Sequence, residues 1–526
     1  MICLFLIGTS INAIRLFDIS HVNDWAIWWA HLDAVVSPVA QVLNGKHLLT
    51  DIPSQYGLFP VLIAPVLRIL PSGLKGFTIF MGAIQALSLV VILLFIKKQI
   101  QSAFVFLYCS ISLIVLTFGN PFIFKLSNQL LVPDPYFQYW PIRFVFPALS
   151  IPLVHYVYQR ISFQRILLLS AFVGLALLWN MDSGIAILYA TSMLTFLVMA
   201  LKIRGKSPHF SVASSKRLVF YTCLLPFLSL TFFGLGLLLL SVGSGQSLKL
   251  EWLSMYQVIF YKLGFFMMPM PASLFIWQTV ISVYIISLVV SNYRLNNGDY
   301  WHDVLPFVYL PLLGAGLFSY YQGRSHFLNI ISVCWPAILI AGLLADKHLY
   351  EIKKKRLSPV TIALPIAAFL GFILPNWILF RYFGEFASYG LRVPFEKNHP
   401  FYKPSKNIAS ELQLIKESCS DPAKPCFIIT QRQGIYSLEA GISSELKGPS
   451  PIEIILRSDR DKLFSQLRNG IPEQIILGIK PESKFPHLKI QPSDLRHYKV
   501  AKTNPEGTIA LLVRVPEKSS RLLPGS

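Results

Sequence analysis

The amino-acid sequence predicts a polytopic α-helical membrane protein with a soluble C-terminal domain. Its 526 residues are 54% hydrophobic and only 14% charged, whereas soluble globular proteins carry about 25% charged residues. Apolar runs of roughly 15 to 25 residues recur along the chain, and this is the length that crosses the hydrocarbon core of a bilayer. These repeated apolar runs therefore favour membrane-spanning helices over the single hydrophobic core of a soluble protein.

The formal net charge of +20 does not require a nucleic-acid partner. Lys and Arg gather at the ends of the apolar runs, as in membrane proteins whose cytoplasmic loops are basic. We therefore expect the protein to interact with a lipid bilayer and not with nucleic acid.

We predict about eleven transmembrane helices. The run at 57–70 contains two prolines and Arg68, so we interpret it as a helix at the membrane surface and not as a further span. The predicted spans are 1–17, 76–96, 102–118, 143–158, 166–179, 184–201, 218–241, 271–292, 304–320, 327–345 and 358–380.

Charge decides the orientation of these spans. Alternate connections hold fifteen Lys and Arg against four acidic residues, whereas the short connections between them hold only four basic residues. The basic set is therefore predicted to be cytoplasmic; it consists of 97–101, 159–165, 202–217, 294–303 and 346–356. This orientation places the first loop (18–75), the loop at 242–264 and the C-terminal region outside the cytoplasm. The chain then divides into a transmembrane domain, 1–380, and an extracytoplasmic domain, 381–526.

The C-terminal region has the pattern of a small α/β domain. Strand-like apolar runs lie at 426–430, 452–456, 473–478 and 508–515, and helical patterns lie at 406–418 and 459–470. Cys419 and Cys426 are the only cysteines in this exported region. In an oxidising compartment they could form a disulfide, and the alternative is two unpaired thiols.

Polar residues from five distant segments are predicted to meet at the outer membrane face. Ionisable groups are costly near a bilayer, so such a gathering indicates a site. The candidates are Asp24, His31, Asp33 and Asp51 of the first loop, Gln55 and Tyr56 at its end, Arg143, Asp182, and finally Tyr321, Arg324 and His326.

Two residue types in this set suggest chemistry. Asp33 lies at the shoulder of an apolar helical stripe that begins at Trp25, where a carboxylate could act as a base on a polar acceptor. Its alternative is a solvated or capping residue. Arg143 and Arg324 could bind a phosphate bidentately and stabilise it as a leaving group. Their alternative is to extend toward lipid headgroups.

Four of these elements, HLDAVVSPVAQVLNGKHLLTDIPSQYG (31–57), RFVFPAL (143–149), LWNMDSG (178–184) and YYQGRSH (320–326), resemble the GT-C class of integral membrane glycosyltransferases. The likeness covers about residues 20 to 345 and is closest to bacterial enzymes of the protein mannosyltransferase and aminoarabinose transferase groups.

The resemblance implies a polyprenyl-phosphate sugar donor, an inverting displacement and a catalytic Asp in the first outer loop. By position this role falls to Asp33, with Asp24 in reserve. It also implies a bacterial cytoplasmic membrane and an extracytoplasmic glycan, lipid or protein acceptor. Many relatives carry paired acidic residues there and this chain does not, so a requirement for Mg²⁺ or Mn²⁺ stays open. The alternative functions are a glycolipid transporter or flippase, and a non-catalytic envelope assembly protein.

Overall fold

The computed structural model describes residues 32–70, 73–118, 123–126, 130–133, 137–203, 215–265, 267–272, 276–325, 327–353, 406–421, 426–444, 454–480 and 488–515. The chain forms two compact units. The first contains Tyr56–Phe59 and the described part of Thr78–Lys397. The second contains the described part of Leu16–Gln55, Pro60–Phe77 and the described part of Asn398–Ser526.

The first unit is a bundle of apolar helices. In chain order its helices are α3 (Leu74–Gln99, whose first turn belongs to the second unit), α4 (Ala103–Phe118), α5 (Val145–Gln159), α6 (Phe163–Trp179), α7 (Met181–Ile203), α8 (Ser215–Ser244), α9 (Glu251–Gln257), α10 (Ile276–Asn296), α11 (Trp301–Gly323), α12 (Phe327–Val333) and α13 (Trp335–Lys353). A short antiparallel hairpin of β1 (Ile123–Leu126) and β2 (Leu130–Pro133) precedes α5.

Five of the described helices, α3, α7, α8, α10 and α11, are long and apolar enough to cross a membrane. Among them α11 is the most enclosed by protein and α8 the least. Leu239 and Val242 of α8 are 72% and 73% exposed. Such a stretch of bare aliphatic surface is expected where lipid tails cover a helix.

The predicted spans between 76 and 345 all fall on helices, but the last is interrupted. Cys334 separates α12 from α13, so 327–345 is two helices and not one. The predicted spans 1–17 and 358–380 lie outside the described residues. The run at 57–70 contains α2 (Phe59–Leu67), whose nine residues are too few to cross a bilayer.

Side chains define the ends of several helices. The Ser162 hydroxyl accepts a hydrogen bond from the backbone N–H of Arg165 at 3.4 Å and caps the start of α6. Asp346 of α13 accepts hydrogen bonds from the backbone N–H groups of Gln101 and Ser102, just before α4. Lys97 and Lys98 lie in the last turn of α3, where positive charge complements the helix dipole.

The second unit joins the first loop to the C-terminal domain. The first-loop helix is α1 (Asp33–Leu43). The C-terminal domain contains α14 (Lys406–Cys419), β3 (Cys426–Ile429), α15 (Gln433–Ala440), α16 (Arg457–Arg468), β4 (Gln474–Gly478), a 3₁₀ turn (Pro492–Leu495), β5 (Tyr498–Thr503) and β6 (Ile509–Arg514). The compact units therefore do not divide at 380, because first-loop residues group with the C-terminal domain.

The four strands form one mixed sheet in the order β3-β4-β6-β5. β3 and β4 are parallel, and the other two pairs are antiparallel. Apolar side chains pack on both faces: Ile475 and Leu512 belong to one core cluster, and Ile428 and Ile476 to the other. The alternation of side chains along a strand produces these two faces.

Two expectations for the second unit were wrong. Residues 454–456 form no strand; Leu456 instead stands immediately before α16. The first-loop helix was expected to be amphipathic and to lie at the membrane interface, yet the described residues Asp33–Val42 are all buried. One reason is that α15 packs along one face of α1, a contact that an amphipathic pattern alone does not indicate.

Candidate functional site

A cluster of polar and aromatic residues forms where several helices of the first unit begin or end. α6 ends at Trp179, α7 begins at Met181 and α11 ends at Gly323. The connection after α8 returns to this end as α9, followed by one π-helical turn, Val258–Lys262. Irregular π turns are frequent at functional sites.

Arg143 and Asp182 form the central ion pair of this cluster. Nη2 of Arg143 lies 2.7 Å from Oδ2 of Asp182, and Nε donates to the same oxygen at 3.3 Å. A third contact runs from Nη1 of Arg143 to the carbonyl of Gln138 at 2.5 Å. The Arg143 side chain is only 7% exposed, whereas that of Asp182 is 30% exposed. The pair therefore presents its carboxylate, and not its guanidinium, to the surroundings.

The guanidinium of Arg143 lies over the rings of two tyrosines. Its carbon lies 4.4 Å from the ring centre of Tyr320 and 5.1 Å from that of Tyr56, distances at which a cation is attracted to an aromatic ring. These contacts bring residues near 56, 143, 182 and 320 together. The sequence predicted that these four segments would meet.

Backbone contacts fix the position of Tyr56. Asn180 donates from Nδ2 to the Tyr56 carbonyl at 2.9 Å. Gly57 follows with φ +96°, and a Cβ there would lie 2.5 Å from the carbonyl oxygen of Trp179. Only glycine fits both this backbone conformation and this close approach. The YG dipeptide thus binds the end of the first loop to the junction of α6 and α7.

Arg324 lies at the C-terminal end of α11 and differs from Arg143 in its contacts. Its guanidinium carbon lies 3.7 Å from the ring centre of Phe260 in the π-helical turn. Its Nη2 is buried and has no hydrogen-bond partner within the described part of the chain. Asn329 donates to the Arg324 carbonyl at 2.8 Å and fixes the backbone. Arg324 therefore carries a positive charge that no carboxylate of the described structure neutralises.

Tyr261 lies within electrostatic range of Asp182, Arg143 and Arg324. Burial raises the pKa of its phenol, and the Asp182 carboxylate raises it further. The phenol therefore stays protonated near neutral pH and can donate a hydrogen bond. Its ring also fills the space beside Gly323, where a Cβ would lie 2.4 Å from a ring carbon.

The cluster combines two guanidinium groups with one carboxylate. Gln257 donates from Nε2 to Oδ1 of Asp182 at 3.2 Å, so both carboxylate oxygens have partners. One positive charge remains after the Arg143–Asp182 pair is counted. Such an arrangement suits an anion that carries several acceptor oxygens, of which phosphate is the commonest.

Asp33, the predicted base, lies in the second unit and is fully buried. Its Oδ1 accepts a hydrogen bond from the backbone N–H of Gly434 at 2.6 Å. Gly434 lies in the first turn of α15, where a carboxylate interacts favourably with the unpaired N–H groups of the helix. In this conformation the carboxylate of Asp33 caps α15 and does not face water.

The remaining predicted residues take separate positions. Oδ2 of Asp51 accepts from the backbone N–H of His47 at 2.9 Å and closes a turn. Gln55 is partly exposed just before Tyr56, and the ring of Tyr321 packs 5.3 Å from that of Phe318. Cys419 and Cys426 form a disulfide. Asp24, His31 and His326 lie outside the described residues.

Metal ligands do not gather in the described residues, where no three His, Cys, Asp or Glu side chains form a candidate group. The resemblance left open whether a divalent ion is required. We therefore assign no ligands for such an ion.

Sequence reasoning missed the contribution of the connection after α8. It was interpreted only as an outer loop, yet it supplies Gln257, Phe260 and Tyr261 to the cluster. The signal is present in EWLSMYQVIFYK (251–262), where Trp252, Tyr256 and Phe260 recur four positions apart and Tyr261 follows. This spacing places them on adjoining helix faces.

Comparison with known proteins adds no relative: the chain matches no family model, and no curated protein matches it significantly in sequence.

Proposed function

We propose that this protein is a membrane glycosyltransferase that moves a sugar from a polyprenyl-phosphate donor to an extracytoplasmic acceptor. The supporting observation is the cluster at the end of the helical bundle. There the phenol of Tyr261, which stays protonated, lies within electrostatic range of two arginines and of one partly exposed carboxylate. The two arginines and the carboxylate come from motifs that resemble GT-C enzymes.

The reaction is a single displacement at the anomeric carbon. An acceptor oxygen attacks that carbon from one face while the bond to the lipid-phosphate oxygen breaks on the other, so the configuration inverts. The acceptor loses a proton to a carboxylate base, and the lipid phosphate leaves as an anion. Fixed positive charge stabilises this leaving group without a general acid.

Arg324 is the residue proposed to bind the departing phosphate. It is preorganised by Phe260 and has no acidic partner in the described structure. Arg143 is engaged by Asp182, so we assign that pair to shaping the site. Asp33 remains the proposed base, on the strength of its position in the HLD element, with Asp24 in reserve.

The proposed setting is a bacterial cytoplasmic membrane with about eleven spans. The acceptor is an extracytoplasmic glycan, lipid or protein, and the bilayer supplies the donor. The contact between α1 and α15 supports one part of this arrangement. It requires the first loop and the C-terminal domain to lie on the same side of the membrane.

The test is sugar transfer by the purified full chain in lipid nanodiscs, with labelled polyprenyl-phosphate sugars as donors. We expect Arg324→Gln to lower the transfer rate by about 100-fold or more, the usual effect of losing one preorganised group that stabilises transition-state charge. Binding of the donor should weaken as well.

Arg165→Gln is the matched control. Arg165 also stacks on an aromatic ring, with its guanidinium carbon 4.0 Å from the centre of Tyr156, but it lies at the opposite end of α6 from Trp179. Its transfer rate should equal that of the native chain. Equal rates for both variants would refute the role of Arg324, and an absence of transfer by the native chain with every donor would refute the enzyme itself. Donor movement across the bilayer without any new glycan would favour the transporter.

A further inference from the structure

The contact between α1 and α15 buries the side chain that the proposed reaction needs. Asp33 is 0% exposed, and its Oδ1 is bonded to the Gly434 N–H at 2.6 Å. A base must reach the proton of its acceptor directly or through one water. While α15 is docked in this way, Asp33 cannot do so.

The two helices approach so closely that only glycine fits at the contact. A Cβ on Gly434 would lie 2.6 Å from Oδ1 of Asp33 and 2.8 Å from the backbone nitrogen of Ser37. Contacts this short do not occur for real Cβ atoms, so a larger residue must separate the helices.

Both helices bury polar side chains as well as apolar ones such as Val36 and Ile435. Ser37 and Gln41 of α1 lie on the same helix face as Asp33, at intervals of four residues. Gln433 and Ser437 of α15 flank Gly434 and are 2% and 0% exposed. The hydroxyls of Ser37 and Ser437, and Oε1 of Gln41 and of Gln433, are buried without a hydrogen-bond partner among the described residues.

Buried polar atoms without partners favour the separated state, in which water would bind them. Among the described residues of the C-terminal domain, buried charges are paired. Glu411 accepts hydrogen bonds from Arg432, Tyr436 and Thr508. Elsewhere in the described part of the domain, the buried hydroxyls of Thr430 and Tyr498 also lack a partner, so such atoms occur at the α1–α15 contact and beyond it.

Separation of α15 from α1 need not unfold the C-terminal domain. Tyr436 and Ala440 of α15 pack into the domain's own apolar core, beside Ile428 and Ile476. Two further hydrogen bonds among the described residues attach α15, from Nδ2 of Asn44 to the Ser437 carbonyl at 3.1 Å and from the Leu74 N–H to Glu439 at 2.7 Å. Water can replace both bonds.

We propose that α15 is a reversible latch: docked on α1 it caps and occludes Asp33, and released it exposes this carboxylate to the acceptor. The occluding role rests on the proposed function, since it assumes that Asp33 is the base. The docking equilibrium itself does not.

The docking equilibrium is measured with the buried Ser37 as a reporter. Ser37→Cys, in the full chain with Cys223→Ser, is treated with a water-soluble maleimide under native conditions. We expect the maleimide to label the introduced cysteine without denaturant, and also at denaturant concentrations too low to unfold the chain. Adding Gly434→Ala should accelerate it at least tenfold, because the new Cβ opposes docking. Gly243→Ala, where a Cβ meets nothing within 4 Å, should leave the rate unchanged. Labelling that occurs only on global unfolding, or that ignores Gly434→Ala, overturns the latch.

A trapped variant tests the same equilibrium without loosening the fold. Asn44→Cys with Ser437→Cys should form a disulfide on oxidation and hold α15 docked. Transfer should then fall at least tenfold and return on reduction, whereas Ser437→Cys alone, taken through the same cycle, should not change. Full activity of the trapped enzyme contradicts occlusion of Asp33. If labelling behaves as expected but no variant transfers sugar, the glycosyltransferase proposal fails while the latch stands.

Discussion

The charged side chain of Arg143 is almost completely buried. A buried guanidinium is tolerated because Asp182, the Gln138 carbonyl and two tyrosine rings surround it. Removing one member of a buried ion pair is worse than removing both, since an unpaired charge is left behind. The pair should therefore show strong coupling in a mutant cycle.

We predict that Asp182→Asn destabilises the helical bundle by about 3 kcal/mol, at the lower end for breaking a buried pair because Asp182 is partly exposed. The double variant Asp182→Asn with Arg143→Met should lose less than the single variant. Thermal denaturation of the purified protein in detergent would measure both. Additive losses in the double variant would show that the two side chains do not interact.

At the scale of elements, the sequence predicted the positions of helices better than their surroundings. Apolar runs of sufficient length identify membrane helices because the bilayer fixes that length. The structure places α7 and α11 within a few residues of the predicted spans. The predicted span 327–345 is interrupted at Cys334, and such a break costs little where neighbouring helices enclose it.

The candidate site was predictable only in part, for a physical reason. Arg143, Asp182 and Arg324 were found because a charge at the end of an apolar run is conspicuous. Gln257 and Tyr261 were not, because their role depends on a loop that folds back to the bundle. The burial of Asp33 depends on Gly434, about 400 residues away in the sequence, and no local pattern encodes such a contact.

The Cys419–Cys426 disulfide links the end of α14 to the start of β3. It closes a loop with a sequence separation of 7. The chain-entropy relation gives about 2.5 kcal/mol for a loop of this size. We therefore predict that Cys419→Ser with Cys426→Ser lowers the stability of the C-terminal domain by about this amount, measured by hydrogen exchange of β3 in the full chain.

Cys223→Ser provides the control for that experiment. Cys223 is an exposed free thiol in α8 of the other unit, so its loss should leave exchange in β3 unchanged. Equal protection of β3 with and without the disulfide would show that packing of the sheet alone holds this end of α14.

For the whole molecule, the decisive question is which parts face the same side of the membrane. The hydrogen bonds from Gly434 to Asp33 and from Asn44 to Ser437 connect the C-terminal domain to the first loop. Such contacts require an even number of crossings between the two. From the distribution of Lys and Arg we predict that this shared side is not the cytoplasm.

We predict that single cysteines at Gly45 and Asn469, each in the Cys223→Ser background, react with a membrane-impermeant maleimide in intact cells. Both positions lie in turns, after α1 and α16 respectively. A cysteine at Lys98 or Arg160 should react only after the membrane is permeabilised, because these residues belong to the basic connections. Reaction of Gly45→Cys and Asn469→Cys from opposite sides would exclude the α1–α15 contact. Reaction of both only after permeabilisation would preserve that contact and reverse the orientation, which would place the arginine cluster and its substrate in the cytoplasm.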